Sequence, residues 1–147
     1  MPANDNDFYN GLVLNRLLKS EKKITLQSFP TKSNNSFVVN NNIGLYIKYT
    51  KKSVSPWRFS FIKEHQEEMS AMFDLLDKVY LILVCAKDGI VCLKYEAMKI
   101  VLNEYYEEME WISASRLSGQ KYTIKGKDGQ LKYKIGDSDF PKKIFEE

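Results

Sequence analysis

The sequence predicts an α+β fold in a single domain, residues 1–147, built on a mixed, mostly antiparallel sheet with about three helices. Three observations predict it. Three stretches carry apolar residues at helical spacing. Short runs of β-formers lie between and after them. The runs are joined by asparagine-rich or Asp-Gly turns of the kind that close hairpins. Hydrophobic residues make up 44% and charged residues 28%, enough for one core without metal or disulfide. No internal repeat, low-complexity tract or linker divides the chain.

Residues 1–6 are polar and expected to fray. Asn6 or Asp7 would cap a helix over residues 8–19, with Phe8, Leu12, Val13 and Leu17 as its apolar positions. Residues 24–29 alternate apolar and polar, as a half-buried strand does. Residues 37–39 and 43–49 read as a strand pair joined by Asn40, Asn41 and Asn42, which tolerate positive φ. Ser55-Pro56 marks a turn, and residues 58–61 form a short strand. A helix over residues 64–77 has Met69, Met72, Phe73 and Leu76 as its stripe and acids in its first turns, where the helix dipole favours them. Residues 79–85 are continuously apolar, the pattern of a strand buried on both faces. Asp88-Gly89 turns the chain into residues 90–93. A helix follows over residues 96–106, with Met98, Val101, Leu102 and Tyr105 on one face. Residues 111–115 read as a strand. Residues 122–125 and 131–135 flank a second Asp-Gly hairpin, with Tyr122, Ile124, Leu131, Tyr133 and Ile135 on one face and lysines on the other.

Charge is segregated along the chain. Residues 8–63 hold ten Lys/Arg and one acid, residues 64–110 hold eleven acids and four lysines, and residues 111–147 hold eight basic and five acidic residues. A basic first third suits a polyanion, through neutralised phosphates and released counterions; the alternative is that basic and acidic blocks pair within the fold. The two cysteines, Cys85 and Cys92, could face each other across a hairpin, but buried free thiols are the expectation. Met1 to Asp5 lacks the pattern of an export signal, and the longest apolar run, residues 79–86, is too short to span a bilayer. The expectation is a cytoplasmic protein with no membrane partner.

Some chemistries are excluded. There is no glycine-rich phosphate loop, and His65 is the only histidine, so His/Cys metal clusters are ruled out. His65 itself reads as a surface or capping residue. A helix, a strand, a turn, two strands with an interior lysine, a helix and a buried strand follow one another over residues 8–85. That order resembles the core of the restriction-endonuclease-like, PD-(D/E)XK, nuclease superfamily. The resemblance implies an acid at the start of one strand and an acid-x-Lys on the next. The two carboxylates would hold a divalent cation, and the lysine would position or activate the attacking water. The matching segments are SFVV and GLYIKY. Lys48 stands at the family lysine; Tyr46 stands at the second acid, and Ser36 or Asn35 at the first. The resemblance therefore implies a degenerate member without its metal-binding acids, unless Glu64, Glu67 and Glu68 on the following helix replace them. The structural alternative for Lys48 is a charge guarding a sheet edge.

The first functional reading is a nucleic-acid-binding domain, non-catalytic, using Lys48, Lys51, Lys52, Trp57 and Arg58: cations for phosphates, a ring for a base. Arg58 could equally stack on Trp57 itself, or Pro56-Trp57 could tuck the ring into the core. Arg116, Lys121, Lys125, Lys127, Lys132 and Lys134 decorate the C-terminal hairpin and read as solvation. The second reading is a protein-interaction or homodimerising domain, with the Glu104–Glu110 acids, Tyr105, Tyr106 and Trp111 as its surface. The third is a metal-dependent nuclease with Lys48 catalytic and the displaced acids as ligands. No cofactor is expected except Mg²⁺ under that third reading.

Overall fold

A computed structural model describes residues 2–20, 23–103, 105 and 109–146. The chain runs α1 (Asp5–Leu18), β1 (Leu26–Ser28), β2 (Ser36–Val39), β3 (Ile43–Thr50), β4 (Trp57–Phe61), α2 (Lys63–Leu75), β5 (Lys78–Cys85), β6 (Gly89–Lys94), α3 (Tyr95–Val101), β7 (Glu110–Ser115), β8 (Thr123–Gly126), β9 (Gly129–Gln130) and a short α4 (Asp139–Lys142), followed by a 3₁₀ turn, Lys143–Phe145. The α+β expectation holds. Two sheets are present where one mixed sheet was expected. The larger has the order β1-β2-β3-β5-β6 and the smaller β4-β7-β8-β9. All pairings are antiparallel except β3 with β5. Among the described residues no helix is long and apolar enough to cross a membrane.

The larger sheet is buried on both faces, because side chains alternate along each strand. Ile43, Leu45 and Ile47 of β3, Tyr80, Ile82 and Val84 of β5, and Ile90 and Cys92 of β6 pack under Val13 and Leu17 of α1, with Phe140 and Ile144 of the C-terminal segment. The opposite face presents Tyr46, Val79, Leu81, Leu83, Cys85, Val91 and Leu93 to α2, α3 and the inner face of the smaller sheet. Cys85 and Cys92 therefore lie on opposite faces. Both are buried free thiols, as expected, and burial raises the pKa of both, that of Cys85 to about 12. The asparagine turn also forms as read, with Asn40 at φ 53° and Asn41 at φ 67°.

Several boundaries differ from the sequence reading. Asn4, not Asn6 or Asp7, caps α1: its side chain accepts the Asp7 N–H at 2.9 Å, and Asp7 returns the bond to the Asn4 N–H at 3.0 Å. This capping box orders residues expected to fray. Of the four apolar positions in α1, Val13 and Leu17 are buried, but Phe8 is 67% and Leu12 37% exposed. Two i,i+4 pairs offset by five residues lie about 140° around a helix from each other, so only one can face the sheet. At the β5–β6 turn the left-handed residue is Ala86 (φ 49°), and Gly89 already belongs to β6. There the glycine is required by space, since a Cβ would meet the Tyr122 hydroxyl and the Asp137 carboxylate. Helix α3 stops at Val101, short of residue 106, and Tyr105 is exposed. Residues 131–135 form no strand beyond a bridge from Ile135 to Tyr122, and Tyr133 faces solvent.

The end of α3 touches β8 through backbone. The Asp128 N–H donates to the Val101 carbonyl at 3.0 Å, and a Cβ on Gly126 would collide with that carbonyl. A backbone neighbour cannot rotate away, so Gly126→Ala is expected to destabilise by about 1–3 kcal/mol, a typical overpacking cost. Urea unfolding measures it; an unchanged midpoint would show that α3 is free to move off the small sheet.

Candidate functional site

Gly44 of β3 has no side chain, and Met72 and Leu76 occupy the space its Cβ would take, at 2.9 and 2.8 Å. Further along the same strand face come Tyr46 and Lys48, larger side chains that meet the N-terminal half of α2 at Glu68 and His65. This wedge between β3 and the start of α2 holds polar side chains. Lys48 Nζ donates to the Ser60 carbonyl at 2.6 Å, meets His65 Nδ1 at 3.1 Å, and sits 4.8 Å from the centre of the Phe61 ring. Lys48 is thus no edge-strand lysine, because β3 lies inside the sheet between β2 and β5.

His65 does serve as a cap. Its Nδ1 also accepts the Ile62 N–H at 3.3 Å, at the start of α2. A nitrogen that accepts from an amide and faces an ammonium carries no proton, so the ring is neutral with its proton on Nε2. Burial, and then the charge of Lys48, lower the His65 pKa accordingly. Burial likewise lowers Lys48, to about 8, against the opposing pull of Glu68.

The second half of the wedge centres on Glu68. Its carboxylate accepts the Tyr46 hydroxyl at 2.6 Å, the Ser33 hydroxyl at 2.8 Å and the Lys32 N–H at 2.9 Å. Burial, then the bond to Glu68, raise the Tyr46 pKa, which keeps the phenol a donor. The loop that supplies Lys32 and Ser33 is pinned on its other side by α1, where Asn6 and Asn10 amides both donate to the Asn34 carbonyl. Asn35 extends the β2–β3 pairing, its amide reaching the Ile47 carbonyl at 2.7 Å. Strand register sets Ser36 opposite Tyr46. The positions that the resemblance assigns to two acids and a lysine are therefore neighbours.

The other sequence-predicted residues separate. Trp57 is a correction: it is 3% exposed, edge-on to Tyr122, with its indole N–H on the Lys52 carbonyl at 2.8 Å, so its ring is not open to a base. Arg58 is exposed and lies over Trp111, 4.6 Å from the ring centre, rather than over Trp57. Lys51 leaves the sheet toward α1 and pairs with Asp5 at 3.0 Å, while Lys52 is exposed. Glu64 pairs with Lys32 at 3.4 Å and Glu67 faces solvent, so Glu64, Glu67 and Glu68 do not converge. Among the described residues no group of three or more His, Cys, Asp or Glu side chains is placed to hold a metal ion. Arg116 turns inward to Asp88 at 2.8 Å, whereas Lys121, Lys125, Lys132 and Lys134 stay exposed. Of the acidic cluster, Glu104, Tyr106, Glu107 and Glu108 lie outside the described residues, Tyr105 is exposed and Glu110 is buried.

Comparisons with protein-family models, with curated proteins and with solved structures returned no match. Sequence reasoning missed Ser33, His65 and the hydroxyl of Tyr46 as members of one cluster. It also missed Lys32 and Lys63, exposed cations beside that cluster: Lys32 bonds Glu68 through its backbone, and Lys63 opens α2 two residues before His65. The one available signal was Tyr46-x-Lys48, two polar-tipped side chains on one face of an apolar strand.

The lowered Lys48 pKa has a defined sign. The folded state binds this proton less tightly than the unfolded chain, whose lysine titrates near 10.5. Lys48 therefore contributes its full stability above pH 10.5, and that contribution is lost as pH falls to about 8. The stability of wild type relative to Lys48→Met should rise by about 3 kcal/mol between pH about 7 and about 10.5. Urea unfolding of both at each pH measures the difference; a flat difference would mean that Lys48 titrates as an exposed lysine.

Proposed function

We propose that this protein is a nucleic-acid-binding domain built on a nuclease-like core whose metal-binding acids have been replaced. One observation carries the reading. Ser36, Tyr46 and Lys48 are brought together by strand register on the central strands, where the resemblance expects acid, acid and lysine. The helix–strand–strand–strand–helix–strand order supports it too, with β4 as an added strand that leaves for the second sheet. The single carboxylate that enters the cluster, Glu68, has its oxygens engaged by Tyr46, Ser33 and the Lys32 amide. A divalent cation needs several oxygen ligands, and these donors compete for the Glu68 carboxylate. That favours binding over metal-dependent cleavage.

The exposed cations nearest the wedge are Lys32 in the 30–35 loop, Arg58 two residues before Ser60, and Lys63 at the start of α2. They come from three separate elements that each supply a residue to the Lys48 cluster, and they are the residues expected to meet phosphates. Lys52 extends the set past the end of β3.

Mobility shifts with single- and double-stranded DNA and RNA test the reading. Binding is expected at low salt and should weaken steeply as salt rises. Replacing Lys32, Arg58 and Lys63 together by glutamine should reduce the dependence of log K on log salt by roughly 0.7–0.9 per cation removed. Magnesium or manganese should produce no cleavage. No binding at low salt would contradict the proposal, and metal-dependent cleavage lost in Lys48→Ala would replace it with the nuclease reading.

A further inference from the structure

The outer face of α1 is the surface that the fold leaves unexplained. Phe8 and Leu12 are 67% and 37% exposed on a helix whose other face is buried. They belong to a stripe at spacings of three and four: Asp5, Phe8, Leu12, Arg16 and Lys19. The stripe is palindromic in chemistry about Leu12. Asp5 lies seven residues before it and Lys19 seven after; Phe8 lies four before and Arg16 four after.

We propose that this face binds a second copy of the same chain, α1 against α1, antiparallel, with the two-fold axis at Leu12. An isologous contact requires that residue i meet j and j meet i. Here Leu12 meets its own copy. The carboxylate of Asp5 meets the ammonium of the second copy's Lys19. The Phe8 ring packs on the stem and guanidinium of Arg16, a favoured arene–cation contact. Beside Arg16 and Lys19 lies an open groove of about 550 Å³, also lined by Ser20, Pro141, Lys142, Phe145 and Glu146. Its apolar lining suits an incoming Phe8, and Arg16, Lys19 and Lys142 outnumber Glu146 on a rim that would face Asp5 and Asp7. Gly11, with open space over its Cα, lets a second helix approach.

The charges are partly engaged within the chain. Asp5 pairs with Lys51 at 3.0 Å and Arg16 with Asp137 at 2.8 Å, the Asp5 and Arg16 side chains remaining 49% and 30% exposed. The contact therefore adds a second partner to each rather than a first. The helix has 14 residues, about 21 Å at 1.5 Å per residue. A patch of that length falls at the weak end of protein interfaces, so association should depend visibly on concentration and on salt.

Sedimentation equilibrium on wild type, Leu12→Lys and Leu12→Glu tests the geometry, because only a two-fold at Leu12 sets position 12 against itself. Wild type should pass from monomer to dimer with rising concentration at low salt. Each variant alone should associate roughly tenfold or more weakly, from like charges at the axis. An equimolar mixture of the two variants should recover association. Position 12 is exposed, and circular dichroism confirms that each variant folds; Phe8→Ser provides an independent disruption on the same stripe. Wild type that stays monomeric throughout overturns the proposal. So does association unchanged by Leu12→Lys, or variants that fail to associate on mixing.

Discussion

The parallel pairing of β3 with β5 is the constraint on which the rest of this structure depends. It requires a crossover, and α2 is part of that crossover, lying over the face of β3 that carries Gly44, Tyr46 and Lys48. With β2 on one side and β5 on the other, β3 has no free edge. A charged side chain at position 48 must then go over or into the layer beneath α2. It does so at a cost set by desolvation, the dominant cause of its lowered pKa. At Gly44 the side chains of Met72 and Leu76 close onto β3; at Tyr46 and Lys48 the strand meets α2 through polar contacts. One strand thus sets both where the helix packs through apolar side chains and where the polar wedge lies.

Inside the wedge, donors and acceptors are sorted rather than scattered. The Lys48 ammonium is given two acceptors, the Ser60 carbonyl and the neutral His65 nitrogen. The Glu68 carboxylate is given donors from a strand, a loop side chain and a loop amide. Buried polar clusters are stable when their members are satisfied and costly when they are not. This one ties β3, the end of β4, α2 and the 30–35 loop to one another, and through Asn34 to α1. The same closure that stabilises the cluster leaves Glu68 poorly placed to serve as a metal ligand.

Local pattern made much of the fold legible. The continuous apolar run of β5 correctly announced a strand buried on both faces, and the three asparagines correctly announced a left-handed turn. Pattern failed where two local solutions competed. In α1, Phe8 and Leu12 have the same periodicity as Val13 and Leu17, and nothing local says which pair faces the sheet. In residues 131–135 the alternation was present, but a strand also needs a partner over its length, and here only the two ends find one, the Leu131 N–H on the Ile124 carbonyl and Ile135 in a bridge with Tyr122. The division into two sheets was invisible because β4 pairs with β7, about fifty residues on, rather than with its neighbour β3. The site was legible only as an odd lysine in an apolar strand. Its partners His65 and Glu68 lie 17 and 20 residues away on another element, and a helix–strand contact at that distance follows from packing, not from spacing. Trp57 shows the converse: beside lysines in sequence it could serve as a surface ring or enter the core, and the structure takes the second course, with its indole N–H on the Lys52 carbonyl.

Lys48 is held inside this wedge, against His65 and Ser60, rather than on a solvated strand edge. A direct measurement is the NMR titration of the Lys48 side-chain ε-carbon in the folded protein, assigned by comparison with Lys48→Met. The expected midpoint is near 8, well below the ordinary lysine value of 10.5, with a shift in the His65 ring signals over the same range. A midpoint at the ordinary lysine value near 10.5, with His65 unresponsive, would contradict that placement.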